Sequence, residues 1–192
     1  AGLPESVAGM SLDRQCASGL MAIATAAKQI IHDGMEVAVG GGVESISLTQ
    51  NAHKNDYRAV SQAVLANSPH MYVPMIETAE LVAQRYGVSR EAQDAYALQS
   101  QQRTAAAYAA GRYDAELAPL TTRMLVTDKA TGTVSEREIT LDRDEGPRAD
   151  TAIEGLSALK PVWSGGDLVT QGQYVTAGNA SQLSDGAAAC VL

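Results

Sequence analysis

The hydrophobic pattern is densest between Ala17 and Asp33, a run rich in Ala, Leu, Ile and Met that contains no proline and stops at Gly34. It predicts a helix of about four turns. Met35-Glu36-Val37-Ala38-Val39-Gly40 follows as a short apolar run bounded by glycine, which predicts a buried strand of a parallel sheet. Helix and strand in this order make an α/β unit. The apolar run that ends at Leu192 predicts a second buried strand, returning to the sheet that Val37 begins, with Cys190 as packing inside it.

Between these pieces the pattern changes. From Ser47 to Pro74 the chain is polar and irregular, with Asn51, His53, Lys54, Asn55, Asp56, Asn67 and Ser68, and predicts a long loop of the kind that is either functional or disordered. Thr78 to Tyr86 predicts a helix ended by Gly87. Ser89 then caps a longer one, Arg90 to Ala110, with Glu91 in its first turn and Gly111 as its stop. Its apolar stripe is Ala92, Ala95, Tyr96, Ala106 and Ala109, and Gln93, Asp94, Gln101, Gln102 and Arg103 face water in this reading. Two extended pieces, Leu117 to Val126 and Thr133 to Leu141, form a hairpin across Asp128-Lys129-Ala130-Thr131-Gly132. A charged turn, Asp142 to Arg148, leads to a short helix, Thr151 to Leu159, closed by Lys160-Pro161.

The expected fold class is therefore α/β: a parallel or mixed sheet with helices, carrying an inserted α+β domain. The boundaries fall at 1–46 for the first sheet piece, 47–173 for the insertion and 174–192 for the return. Ala1 to Met10 reads as a loop through Gly2, Pro4 and Gly9 that leads straight into a specialised turn, so preceding strands are expected outside these residues and the sheet is left unfinished.

Composition narrows the chemistry. With 45% hydrophobic and 19% charged residues over 192, the chain is an ordinary globular one. A net charge of -8 without a basic cluster argues against nucleic acid, although a small anionic ligand needs only one or two placed cations and some backbone N–H groups. Cys16 and Cys190 lie almost a chain length apart without metal-ligand spacing, which argues against a metal site or disulfide framework and fits a reducing, cytoplasmic setting. No run approaches the ~20 apolar residues of a membrane span, and there is no signal-like start. No Phe, one Trp and seven Tyr favour small-residue helices lying close against a sheet.

The candidate chemistry starts at Leu12-Asp13-Arg14-Gln15-Cys16-Ala17-Ser18-Gly19-Leu20, where Cys16 stands at the mouth of the first helix. Unpaired N–H groups and the helix dipole favour a thiolate there, and Ala17, Ser18 and Gly19 leave room for a substrate carbonyl. That suits acyl transfer. The structural alternative is that Cys16 is one more small buried apolar residue. Gly40-Gly41-Gly42 is followed by neither G-x-G-x-x-G nor Gly-Lys-Ser/Thr, so close packing explains it better than a phosphate loop. His53 and His70 have no carboxylate or cysteine partner at readable spacing, and Tyr96 and Tyr108 carry no supporting feature for a cofactor role.

The ordered set Leu12-Asp13-Arg14-Gln15-Cys16-Ala17-Ser18-Gly19, Gly40-Gly41-Gly42-Val43-Glu44-Ser45, Val175-Thr176-Ala177-Gly178-Asn179-Ala180-Ser181 and Asp185-Gly186-Ala187 resembles the thiolases, which make or cleave 3-ketoacyl-CoA. The similarity runs through Tyr86-Gly87-Val88-Ser89-Arg90-Glu91 and Gln93-Asp94 as well. It implies a thiolase-type half-domain whose insertion is the loop domain that covers coenzyme A. Cys16 is then the nucleophile, acylated by a thioester and passing the acyl group to a CoA thiol or to the carbanion of a second acetyl-CoA.

The same resemblance places Ala177, Gly178 and Ser181 against the pantetheine arm, Met75 beside the acyl pocket, Arg148 near the adenine nucleotide and Asn179 in the turn that holds them. It implies CoA and acyl-CoA as substrates, no permanently bound cofactor or metal, and a homodimer or homotetramer. Asp13 stands where many relatives have Asn. Pro74 stands where many short-chain relatives have His, which admits longer or different acyl chains. The family's Gly-His-Pro histidine, Cys-x-Gly cysteine and Asn-Glu-x-Phe-like segment do not occur in these residues, so the remainder of the protein is expected to supply them and this chain alone to be inactive. Two other readings stand beside this one: a ketoacyl-synthase-like condensing enzyme, and a non-catalytic CoA- or lipid-binding relative of the same fold.

Overall fold

The structure, a computed structural model, describes residues 2–192. In chain order its elements are a 3-10 turn at Gln15–Ala17, α1 (Ser18–Asp33), β1 (Val39–Glu44), α2 (Ile46–Thr49), α3 (Gln62–Asn67), α4 (Met75–Tyr86), α5 (Arg90–Ala109), β2 (Leu120–Thr127), β3 (Val134–Leu141), α6 (Ile153–Ser157) and β4 (Gly186–Val191). They fall into two compact units. One runs up to Ala59 and takes in Leu183–Leu192; the other is Val60–Gln182. The two units divide at 59/60 and 182/183.

In the first unit α1 ends where Gly34 adopts φ 75°, the left-handed conformation that glycine takes without strain, and its N–H bonds back to the Gln29 carbonyl. The strand then differs from expectation in three ways. It begins at Val39 and contains Gly40, Gly41 and Gly42, so Met35 to Val37 form no part of it. It pairs antiparallel with β4, from Val39 opposite Val191 to Glu44 opposite Gly186, because the intervening chain leaves and returns at the same end without a crossover. It is also largely exposed: Val39, Val43 and Val191 face outward, and only Gly40 is buried.

Gly40 shows why the strand forms where it does. A Cβ there would stand 2.9 Å from the Ile23 Cα, so α1 lies directly on the strand backbone. Gly40→Ala is accordingly expected to force helix and strand apart and lower stability by about 1–3 kcal/mol, the ordinary cost of overpacking. A shift in the urea midpoint with an unchanged slope is the measurement that checks it. Cys190, on the facing strand, is half-buried with its thiol 3.5 Å from the Gly40 carbonyl.

In the second unit α4 begins at Met75, directly after Pro74 at φ -59°, and ends at Gly87 with φ 65°. Proline fits a helix start because its missing N–H is not needed there. Ser89 caps α5 as expected, its Oγ accepting the Ala92 N–H at 3.2 Å. The Glu91 carboxyl is held below its ordinary range, first by its own backbone N–H and then by the Ser89 hydroxyl. On α5 Gln102 and Arg103 face water as expected, but the expected apolar stripe is exposed too, with Tyr96 at 74%, and Asp94 is 1% exposed. The β2–β3 hairpin pairs Leu120 with Leu141 and Thr127 with Val134, is exposed for most of its length, and carries an Arg123–Glu136 ion pair at 3.1 Å. Apolar side chains alone do not make the interior of this unit: beside Ala83, Leu156 and Val175 it buries Glu77, Glu80, Asp94 and Thr176.

Candidate active site

Cys16 lies in the 3-10 turn and is exposed, two residues before α1 begins. The turn holds itself. Asp13 Oδ1 accepts the Gln15 N–H at 2.7 Å, Ser18 Oγ accepts the Arg14 N–H at 2.8 Å, and the Ser18 hydroxyl reaches the Gln15 carbonyl at 2.7 Å. Within this frame Gln15 adopts φ 50°, a left-handed conformation that costs a residue with a Cβ about 1–2 kcal/mol. Strain of this kind persists only where the surroundings over-determine it, and here it presents the next residue, Cys16, on the outside of a tight turn. The structural alternative, a buried apolar cysteine, does not hold for Cys16. At Asp13 the interaction used is acceptance by a side-chain oxygen, which an asparagine also offers.

Asp185, just before β4, closes the same unit from the other end of the chain. Its carboxylate accepts the Ser47 hydroxyl, the Ser47 N–H at 3.0 Å and the Ser45 hydroxyl at 3.4 Å. The Ser47 hydroxyl, then the Ser47 N–H, hold this carboxyl below its ordinary range. A depressed carboxyl stabilises the fold above its unfolded-state value, and the contribution is lost as pH falls through the lowered one.

The other candidate residues belong to the second unit. Met75 opens α4 and is 76% exposed. Arg148 is exposed on the chain beyond the hairpin, with its N–H donating to Gln101 Oε1 at 2.8 Å and its carbonyl accepting the Thr151 hydroxyl at 2.7 Å. Ala177, Gly178 and Ser181 share one turn. Thr176 at its start is fully buried, its Oγ accepting the Gly178 and Asn179 N–H groups at 3.3 Å, while Asn179 Oδ1 accepts the Thr176 N–H at 2.8 Å. Gly178 has no room for a side chain, since a Cβ would meet Leu159 and Leu156 at 2.5 and 2.6 Å. Ala177 and Ser181 are exposed on this turn, and the Ser181 hydroxyl donates to the Gln182 carbonyl at 3.2 Å.

Sequence reasoning passed over the buried acids. Glu77, Glu80 and Ala83 are all buried at a spacing of three along α4. That spacing on one helix face, with no cation at matching positions, was the readable signal. Tyr108, considered for a cofactor role, instead donates its hydroxyl to Asp144, which holds its pKa above the usual tyrosine value. Among the described residues no group of three or more His, Cys, Asp or Glu could hold a metal ion, and no helix is long and apolar enough to cross a membrane. An open cavity of about 540 Å³ lies against the β1–β4 ribbon, lined by Gly41, Gly42, Val43, Ala187, Ala188 and Ala189, and offers no titratable side chain.

Known proteins are similar to this chain along its length. The family described as "Thiolase, N-terminal domain" matches residues 1–192. The 3-ketoacyl-CoA thiolase B, peroxisomal, of Mus musculus is 41% identical over all of this chain, and the 3-ketoacyl-CoA thiolase of Bacillus subtilis (strain 168) is 39% identical. The chain spans 42% of the first and 47% of the second. The crystal structure of human mitochondrial 3-ketoacyl-CoA thiolase superimposes with a TM-score of 0.71 at 34% identity, over 99% of this chain and 47% of that one. The same enzyme in complex with CoA gives 0.69 at 32%, again over 99% of this chain and 46% of that one. The strained cysteine turn, the Thr176–Ser181 turn and a family match along the whole sequence lead to one conclusion: this chain belongs to the thiolase family, in the region of its N-terminal domain.

Proposed function

We propose that the chain is the nucleophile-bearing part of a thiolase that makes or cleaves 3-ketoacyl-CoA through an acyl-Cys16 intermediate. The observation that carries this is Cys16 held outward on the Asp13–Ser18 turn, beside a strained Gln15. In the synthetic direction Cys16 Sγ bonds to the thioester carbon of an acyl-CoA and the CoA thiolate leaves. In cleavage it bonds to the 3-keto carbon and the carbon–carbon bond breaks, the released carbanion taking a proton to become acetyl-CoA. The acyl group then passes to a CoA thiol or to a second carbanion, so one difficult displacement becomes two easier ones. The Cys16 N–H serves the oxyanion.

CoA is the substrate and no resident cofactor takes part. Ala177, Gly178 and Ser181 receive the pantetheine arm, Met75 lines the acyl pocket, Arg148 meets the adenine nucleotide, and the 47–173 insertion covers the CoA. Pro74 beside Met75 admits acyl chains longer than acetyl or different from it. The assembled protein is a homodimer or homotetramer in the cytoplasm, a reducing setting that the two free thiols support, although the murine relative is named peroxisomal. Residues 1–192 alone do not turn over, because the Gly-His-Pro histidine and Cys-x-Gly cysteine lie outside them.

The test is to mix the protein, as its gene encodes it, with acetoacetyl-CoA, quench in acid and map the peptides by mass. An acetyl increment on the Cys16 peptide is expected. Turnover of acetoacetyl-CoA with Cys16 unmodified at every quench time overturns the reading.

A further inference from the structure

Glu80 is 2% exposed, yet it belongs to none of the ion pairs found among the described residues, which are Lys54–Asp56, Arg90–Asp94 and Arg123–Glu136. Its carboxylate is spent on backbone. Oε2 accepts the Gln173 N–H at 2.8 Å and the Tyr174 N–H at 3.1 Å, and Oε1 accepts the Val175 N–H at 2.7 Å. Gly172 makes this approach possible, since a Cβ there would stand 2.9 Å from Glu80 Oε1. Burying a carboxylate is costly unless donors satisfy it, and successive amides do so only if the segment keeps one conformation.

That segment ends where the Thr176–Ser181 turn begins. The far side of the turn is tied as well: Asn179 Nδ2 donates to Asp94 Oδ1 at 3.0 Å and to the Tyr174 carbonyl at 2.8 Å. Asp94 is itself clamped on α5 by Arg90 Nε at 2.8 Å, and Arg90 Nη2 donates to the Leu156 and Leu159 carbonyls at 2.7 and 3.0 Å. Two helices thus grip the turn, α4 through residue 175 and α5 through residue 179, and leave Ala177 and Ser181 free at the surface. Glu77 does a different task on the same helix face. It accepts the Leu168 and Val169 N–H groups at 2.6 and 2.8 Å, away from the turn.

We propose that Glu80 and Asp94 are positioning residues for ligand binding: they pre-order the Thr176–Ser181 backbone, so that a CoA arm docks without ordering the turn itself. The proposal rests on the reading that this turn meets the pantetheine arm.

The test compares Glu80→Gln and Glu77→Gln in the protein as its gene encodes it. Read for each are amide hydrogen exchange at Gly178, Asn179 and Ala180, the Kd for coenzyme A itself, and the rate at which iodoacetamide alkylates Cys16. Glu80→Gln turns an amide NH2 toward amide donors, and is expected to speed exchange in the turn and to weaken CoA binding, each about tenfold, with Cys16 alkylation unchanged. Glu77→Gln is expected to speed exchange at Leu168 and Val169 and to leave CoA affinity within about twofold. Unchanged exchange in the turn, or an equal loss of CoA affinity in both variants, overturns the proposal. Should Glu80→Gln fail to fold, Asn179→Ala cuts the tether from the other side and is held to the same outcomes. A wild-type protein that binds no CoA removes the pantetheine reading alone, and exchange in the turn still decides whether Glu80 positions it.

Discussion

Replacing Cys16 by alanine is expected to lower kcat for acetoacetyl-CoA thiolysis about a thousandfold or more, which is about 4 kcal/mol of transition-state stabilisation. In the proposed mechanism the thiol makes the covalent intermediate, and alanine offers no atom that can bond to the acyl carbon. The Kd for CoA is expected to stay within about twofold, because the residues proposed to hold CoA lie on other segments of the chain. Alanine at Cys190 provides the contrast. That thiol is half-buried against the Gly40 carbonyl, so its removal alters packing on the β1–β4 ribbon and leaves thiolysis in place. A Cys16→Ala enzyme that keeps kcat within tenfold of wild type ends the covalent mechanism. Steady-state thiolysis followed at the enolate absorbance, with CoA binding measured separately, decides it.

What the sequence made legible follows from the range of the interactions involved. Gly34, Gly87 and Ser89 end or start helices by local backbone chemistry, and each does so in the structure. The cysteine turn is equally local: its ties run from Asp13 to Ser18, within one motif. The ribbon was harder. Whether β1 runs parallel or antiparallel to β4 depends on how the chain between them returns, and the apolar run at Met35 to Val37 gave no warning that the strand begins only where glycines admit α1. Periodicity misplaced Asp94 on α5 because it counts a carboxylate as solvated. Asp94 is buried because Arg90 and Asn179 meet it there, and the second of these lies 85 residues along the chain. Glu80 escaped for the same reason. Its partners are backbone amides 93 to 95 residues away, which leave no mark in side-chain pattern.

Asp94→Ala is expected to be the most destabilising single change in the Val60–Gln182 unit, by about 3–5 kcal/mol, the usual cost of breaking a buried ion pair from one side. Asp94 is 2% exposed in its side chain and Arg90 16%, at an Nε–Oδ2 distance of 2.8 Å. Removing the carboxylate leaves the guanidinium Nε without its acceptor and deprives Asn179 Nδ2 of one of its two. A double variant, Arg90→Met with Asp94→Leu, separates the charge from the rest. Burying no charge, it is expected to recover part of the loss, since apolar replacements of a whole buried pair are often neutral or stabilising. Full recovery is not expected, because the Leu156 and Leu159 carbonyls lose their Arg90 donor and Asn179 still lacks its acceptor. Urea midpoints for the wild type, Arg90→Met, Asp94→Leu and the double variant complete the cycle, with Asp94→Ala measured beside them. If Asp94→Ala costs less than about 1 kcal/mol, the pair is no more than a surface salt bridge in effect, and the tether from α5 to the Thr176–Ser181 turn loses its anchor.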